Sequence, residues 1–235
     1  MKIYYSSVSP IRTSSYQRML SNQHVMWTPQ THHNSLERSN FKGVAWDSGA
    51  FSVWTKGKEV DIDKLISFYH AEKDRSDFLI TLDVIEGTWQ QNKENLRIME
   101  SAGLDVVPVY HGPDTEPYFW LDELREKYDF ICLGTVCKRA ASKRCVNWLH
   151  EVYTNHPHKY HGLKMVALVH LFPFVSVDSA TWAIAAAMYN APTNKGQQQA
   201  NFLTKEELCE LWIKYYTRIP KCTVYKNNTQ QQTIF

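Results

Sequence analysis

Short apolar runs alternate with amphipathic stretches along most of this chain, and that alternation is what most restricts its fold. Lys2 to Tyr5, Gly43 to Trp46, Asp77 to Leu82, Asp105 to Tyr110, Asp129 to Gly134, Tyr160 to Met165 and Phe174 to Val177 are brief, mostly apolar and bounded by turn residues. Each reads as a strand buried on both faces. Between them, Ile62, Leu65, Ile66 and Tyr69 follow the i, i+3, i+4, i+7 stripe of a helix, and Asn92 to Ala102 reads as a second helix stopped by Gly103. Strands that alternate with helices imply a parallel sheet. Seven or eight such units in 235 residues predict an α/β chain folded as a compact (β/α)8 TIM-like barrel, an architecture of roughly 250 residues.

The pattern weakens at both ends, so an irregular first or last unit is expected. Thr223 to Tyr225 is a faint candidate for the eighth strand, and the Ser-, Gln-, His- and Asn-rich stretch after the first strand reads as irregular. Asn190 to Asn201, with Pro192, Gly196 and three consecutive glutamines, reads as a flexible loop. The expectation is one domain over residues 1–226 and a polar tail over residues 227–235.

Each expected strand after the first ends in a residue able to do chemistry: Asp47, Asp83, His111, Gly134 with Thr135, His161 with Gly162, and Asp178. In a parallel barrel the carboxyl ends of all strands open onto one face, so these residues would converge there. Taken singly, an Asp after a strand also reads as the N-cap of the next helix, and a His as a hydrogen-bonded structural residue. Two corners are alike. Asp47-Ser48-Gly49-Ala50-Phe51 and Asp178-Ser179-Ala180-Thr181-Trp182 both follow an apolar run with Asp-Ser, a small residue and an aromatic. Two carboxylates on one pocket divide labour when their environments push their pKa values apart, one attacking while the other moves protons. Chemistry at an anomeric carbon uses that division. Trp46, Phe51, Trp54 and Trp182 are candidate stacking walls for a flat substrate, or else core.

Composition narrows the class. The chain is 43% apolar and 13% aromatic with a net charge of +2, which suits a packed globule and does not by itself announce a nucleic-acid binder. One local cluster does point that way: Lys138, Arg139, Lys143 and Arg144 lie just beyond the Gly134 strand end, where a phosphate backbone would pass a catalytic rim. The five cysteines are odd in number and form no C-x-x-C pair, which argues against a disulfide framework and a ribbon-type zinc site. His156, His158 and His161 alternate into a strand with no fourth ligand nearby, so no metal is expected. The amino-terminal stretch lacks the apolar run of a signal peptide, and nowhere do 18 apolar residues follow one another. A soluble cytoplasmic protein with no membrane partner is expected.

Asp47-Ser48-Gly49-Ala50-Phe51, Leu82-Asp83, Leu133-Gly134 and Ser176-Val177-Asp178-Ser179-Ala180-Thr181-Trp182 occur in the order and spacing of the tRNA-guanine transglycosylase superfamily. The chain most resembles its short, phage-type DNA 7-deazaguanine transglycosylase branch, over residues 43 to 190. The resemblance implies a (β/α)8 barrel that exchanges a guanine in a polynucleotide for a free 7-deazaguanine base. Asp178 would be the nucleophile on the sugar C1′ and Asp47 the general acid/base. Ser48, Asp83 and the Gly134 backbone would hold the base, with Gly49, His111, Thr135 and His161 lining the same rim. Trp182 and the four cations would meet the nucleic acid. No cofactor is implied, and if the gene is a phage's, the host cytoplasm is the setting. Two departures from the family pattern bear on the substrates. The zinc motif of the tRNA enzymes is missing, with only Cys209 and Cys222 after Asp178, and Ser52 stands where those enzymes carry a glutamine. The first favours DNA over tRNA, and the second points to a pocket for a different deazaguanine; exchange on RNA and a binding barrel without chemistry remain the alternatives.

Overall fold

The computed structural model describes residues 1–6, 13–30, 38–85, 87–134, 142–193, 196–223 and 225. Eight parallel strands form one curled sheet: β1 (Lys2–Ser6), β2 (His24–Trp27), β3 (Gly43–Trp46), β4 (Phe78–Leu79), β5 (Val109–Tyr110), β6 (Ile131–Leu133), β7 (Tyr160–Gly162) and β8 (Ser176–Ser179). Their order is β4-β3-β2-β1-β8-β7-β6-β5, so chain neighbours are sheet neighbours and β1 pairs with β8, Tyr4 opposite Asp178. The outer strands β4 and β5 share no ladder. A single parallel bridge joins Ile80 to Val107, with the Val107 N–H on the Leu79 carbonyl at 2.7 Å and the Thr81 N–H on the Val107 carbonyl at 3.0 Å. This mixed α/β arrangement is compatible with a TIM-like fold.

Eight α-helices lie among the described residues: α1 (Thr13–Met19), α2 (Ala50–Trp54), α3 (Ile62–Glu72), α4 (Trp89–Ser101), α5 (Tyr118–Lys127), α6 (Lys143–Asn155), α7 (Thr181–Ala187) and α8 (Lys205–Arg218). Side-chain caps fix the starts of α3, α4, α6 and α8. Asp61 accepts from the Lys64 N–H, Ser142 accepts from the Cys145 N–H, and Thr88 with Gln91 and Thr204 with Glu207 form reciprocal capping boxes. Each cap satisfies donors that the first turn leaves open. Gly103, at φ 80°, ends the α4 segment in a conformation that costs glycine little. Short 3-10 turns, Arg38–Asn40 and Val166–Leu168, stand where helices would follow β2 and β7.

Period-two alternation splits the core. Tyr4, Met26, Ala45, Ile80, Val109 and Cys132 pack together inside the curl, with Phe78, Val107 and Leu163 against them. Their strand neighbours Tyr5, Val25, Val44, Ile131 and Leu133 point outward into the larger cluster under the helices. No helix among the described residues is long and apolar enough to cross a membrane.

Three expectations need correction. The strand missing from the pattern is His24–Trp27, inside the stretch read as irregular: four residues suffice when β1 and β3 both bond to them. Within the stretch read as a flexible loop, β9 (Asn190–Thr193) and β10 (Gly196–Gln199) instead pair antiparallel. Side chains of low strand propensity hid the pair; it is tied to α8 by the Trp212 Nε1–H on the Asn190 carbonyl at 2.9 Å and by buried Ala191. Thr223 and Tyr225 lie in no strand, and Val224 and the expected tail, 227–235, fall outside the described residues. Tyr225 instead stacks on Phe172, its hydroxyl 2.8 Å from His150 Nδ1.

Candidate active site at the carboxyl ends of the strands

The alternation that buries Tyr4, Ala45, Val109 and Cys132 carries Ser6, Asp47, His111 and Gly134, two residues on, to the same side at the strand ends. None of the three rim aspartates caps a helix: the N-caps of α2, α4 and α7 are Gly49, Thr88 and Ala180. The bland reading of Asp47, Asp83 and Asp178 therefore fails on geometry.

Asp178 is buried and well supplied with donors. The Ser6 hydroxyl donates to Oδ2 at 2.8 Å and the Lys164 backbone N–H to Oδ1 at 2.7 Å, while His161 Nε2 stands 3.7 Å from Oδ1. Burial alone would raise its pKa, but His161, the Lys164 amide and Ser6 outweigh it and hold the carboxyl below its ordinary value. Asp47 has the opposite balance. Burial raises its pKa, the charges of Asp83 and Asp178 raise it further, and Lys164 with the Gly49 N–H offsets only part, leaving it pushed up to about 7. One carboxylate is thus kept ionised and the other is poised to exchange a proton near neutrality.

Asp83 anchors a third group. Ser48 Oγ donates to its Oδ1 at 3.2 Å, and His111 Nε2 lies 3.0 Å from its Oδ2. Burial pushes Asp83 up, yet His111 and Ser48 bring it net below its ordinary value. On its other side His111 meets Glu116, which accepts the His111 backbone N–H at 2.7 Å and faces Nδ1 at 3.4 Å. Burial disfavours the imidazolium, but the two carboxylates prevail and raise the His111 pKa to about 10. Glu116 is itself buried and held by Asn92 Nδ2 at 2.7 Å, so the ring is fixed from behind. A side chain at Gly134 would put its Cβ 2.7 Å from His111 Cδ2, which is why that strand end carries none. Gly49, at φ 77°, sits in the left-handed region that favours glycine.

Asp47, Ser48, Gly49, Asp83, His111, Gly134 and Asp178 therefore gather on one rim. Two expected residues lie elsewhere. Trp182 is fully buried, its Nε1–H on the Ser6 carbonyl at 2.9 Å and its ring edge-on to Tyr5, so it is core and meets no polymer. His161 is also fully buried, beneath Asp178 among Tyr4, Phe78 and Phe130, and does not line a base pocket. Of the aromatic walls, Trp46 is core, whereas Phe51 and Trp54 are exposed beside one another with centroids 6.0 Å apart. Thr135, Lys138 and Arg139 fall outside the described residues; Lys143 is exposed and Arg144 pairs with Asp114.

Ser6, Lys164, Glu116 and Asn92 belong to the site and were not singled out from sequence. Ser6 ends a strand like the others and was open to the same reasoning. Lys164 depends on a backbone at φ 59°, which no local pattern announces. The clustered histidines point apart: His156 bonds Asp122 at 2.7 Å and His158 bonds the Tyr128 carbonyl at 2.7 Å. Among the described residues no three His, Cys, Asp or Glu are disposed to hold a metal, and Cys209 is packed inside α8. No protein-family model matches the chain and no curated protein is similar to it, so the reading of this site rests on its geometry and on the motifs that shape it.

Proposed function

We propose that this chain is a transglycosylase that exchanges a guanine in DNA for a 7-deazaguanine through a glycosyl-enzyme ester, on a sheet we read as a (β/α)8 barrel. The observation that carries the proposal is the pair of rim carboxylates in opposed surroundings: Asp178 holds the Ser6 hydroxyl at 2.8 Å and the Lys164 amide at 2.7 Å, which lower its proton affinity, while burial and the neighbouring aspartates push Asp47 up to about 7. Asp178 attacks C1′ as the bond to guanine breaks, and Asp47 in its acid form gives the departing base a proton. The resulting Asp47 carboxylate takes the proton from the incoming deazaguanine, whose nitrogen displaces Asp178 from the same carbon. Two inversions give net retention, and both carboxyls return to their starting states.

Asp83 reads the base. Ser48 and His111 occupy one direction on each of its oxygens, which leaves acceptor capacity for guanine's N1–H and exocyclic amine. Adenine lacks that donor pair, so it would leave a buried carboxylate poorly matched. A guanine inside a duplex cannot reach such a pocket and must be single-stranded or flipped out. The choice of DNA over tRNA is supported by the likeness to the short branch and by the missing zinc motif. The test is to incubate the pure protein with guanine-labelled DNA, and separately tRNA, with a panel of 7-deazaguanines. Base-dependent release of label from DNA supports the proposal, release from tRNA alone redirects it, and release from neither removes it.

A further inference from the structure

His161 stands beside the reacting carboxylate with no step of its own in the proposed chemistry, and its surroundings assign it a task. The ring is fully buried, with Nδ1 2.8 Å from Ser176 Oγ. Nε2 has no hydrogen-bond partner and faces Asp178 Oδ1 at 3.7 Å, just beyond bonding length. Phe78 and Phe130 pack against the ring edge-on and leave it no solvent-exposed face.

We propose that His161 carries a proton on Nε2 and is the positioning residue of Asp178, donating to Oδ1 from beneath and leaving Oδ2 as the attacking oxygen. A carboxylate offers only acceptors, so a bare Nε2 would set lone pair against lone pair in a dry interior, whereas Nε2–H closes the gap by a shift of a few tenths of an ångström. Ser176 Oγ, the neighbour of Nδ1, supplies the matching half: its single hydroxyl proton given to Nδ1 leaves the ring proton on Nε2. The two oxygens of Asp178 are then distinct. Oδ1 has the Lys164 amide and His161, both held by the fold, while Oδ2 has only the Ser6 hydroxyl, a rotor that turns aside when a sugar arrives. In the ester Oδ1 is the carbonyl oxygen, and the same two donors stabilise the charge that returns to the carboxylate as the incoming base displaces it.

The other titratable neighbours do not take this role. Tyr4, whose ring meets His161 from β1, sends its hydroxyl to Asp77 Oδ2 at 2.6 Å, and the buried thiol of Cys132, opposite His161 on β6, is pushed well above its ordinary range, first by burial and then by the nearby aspartates. Asp47 faces Asp178 from the rim.

The last step rests on the function proposed above, and the test separates the two. Nitrogen-15 spectra of the resting protein report which ring nitrogen of His161 is protonated, and carbon-13 spectra follow the Asp178 carboxyl through pH; neither needs a substrate. The expected results are a protonated Nε2, an Asp178 midpoint that moves up in His161→Leu, and recovery toward wild type in His161→Gln, whose amide can donate. An unprotonated Nε2, or a midpoint unmoved in a folded His161→Leu, overturns the proposal whether or not base exchange occurs. If the leucine variant does not fold, the wild-type ring spectrum decides alone, and Ser176→Ala should shift proton occupancy away from Nε2. With exchange established, His161→Leu should slow breakdown of the trapped ester more than its formation.

Discussion

Asp47→Asn should make the protein more stable while abolishing base exchange, and the gain should depend on pH in a way that identifies its cause. Asp47 rises from 3.8 to about 7 on folding. At about 1.4 kcal/mol per pKa unit, the ionised form therefore costs the folded state about 4 kcal/mol, an upper bound for a group with some access to the rim. The sign comes from proton counts. Between the unfolded and folded values the folded state holds the extra proton, so stability falls as pH rises through that window and levels off above about 7. Asparagine has no such titration. Denaturant unfolding of wild type and Asp47→Asn should give nearly equal stabilities near pH 4 and a gap that widens toward pH 8, approaching a few kcal/mol. A gap independent of pH would refute the reasoning, because it would mean Asp47 is not penalised as an anion and is no better suited than any surface carboxylate to pass protons.

Asp83→Asn should weaken binding of guanine and deazaguanine together, since an amide donor would face guanine's donors and His111 at about 1–3 kcal/mol per unpaired group; isothermal titration with the free base checks it, and unchanged affinity would make Asp83 a structural partner of His111 only. Glu116→Gln should bring the His111 titration down from about 10 by removing one of its two carboxylates, an effect read from its ring proton shifts against pH. Replacing Lys138, Arg139, Lys143 and Arg144 by Gln should lower polynucleotide affinity and flatten its salt dependence by about 0.7–0.9 per lost phosphate contact, while free-base binding stays as in wild type. An unchanged slope in a salt series would place the polymer elsewhere.

Much of this site was legible because chemistry sat where the apolar pattern stopped. Asp47, Asp83, His111, Gly134 and Asp178 each stand at the carboxyl end of a short buried run, and β3 begins and ends at the residues its pattern marks. What stayed hidden depended on contacts between distant residues. His24–Trp27 is a strand because β1 and β3 flank it, not because four residues advertise one. Trp182 comes after an Asp-Ser corner as a rim aromatic would, yet α7 turns it inward against Tyr5 and Tyr16. His161 reads with the strand ends, yet it is the second residue of the Tyr160 to Met165 run and the middle residue of β7, beneath the rim, and periodicity in a three-residue strand does not fix which residue reaches the end. Glu116 lies five residues past His111 and gains its meaning only from the tight turn at Gly112, φ 99°.

The most direct test of the account is to trap the intermediate. Guanine-containing DNA, incubated with the protein in the absence of any incoming base and then denatured, should leave a covalent adduct whose peptide mass maps the sugar to Asp178. The adduct should disappear when a 7-deazaguanine is added, and Asp178→Ala should form none although it still folds. An adduct of equal abundance in Asp178→Ala, or base exchange by wild type with no covalent species at any time, would contradict it.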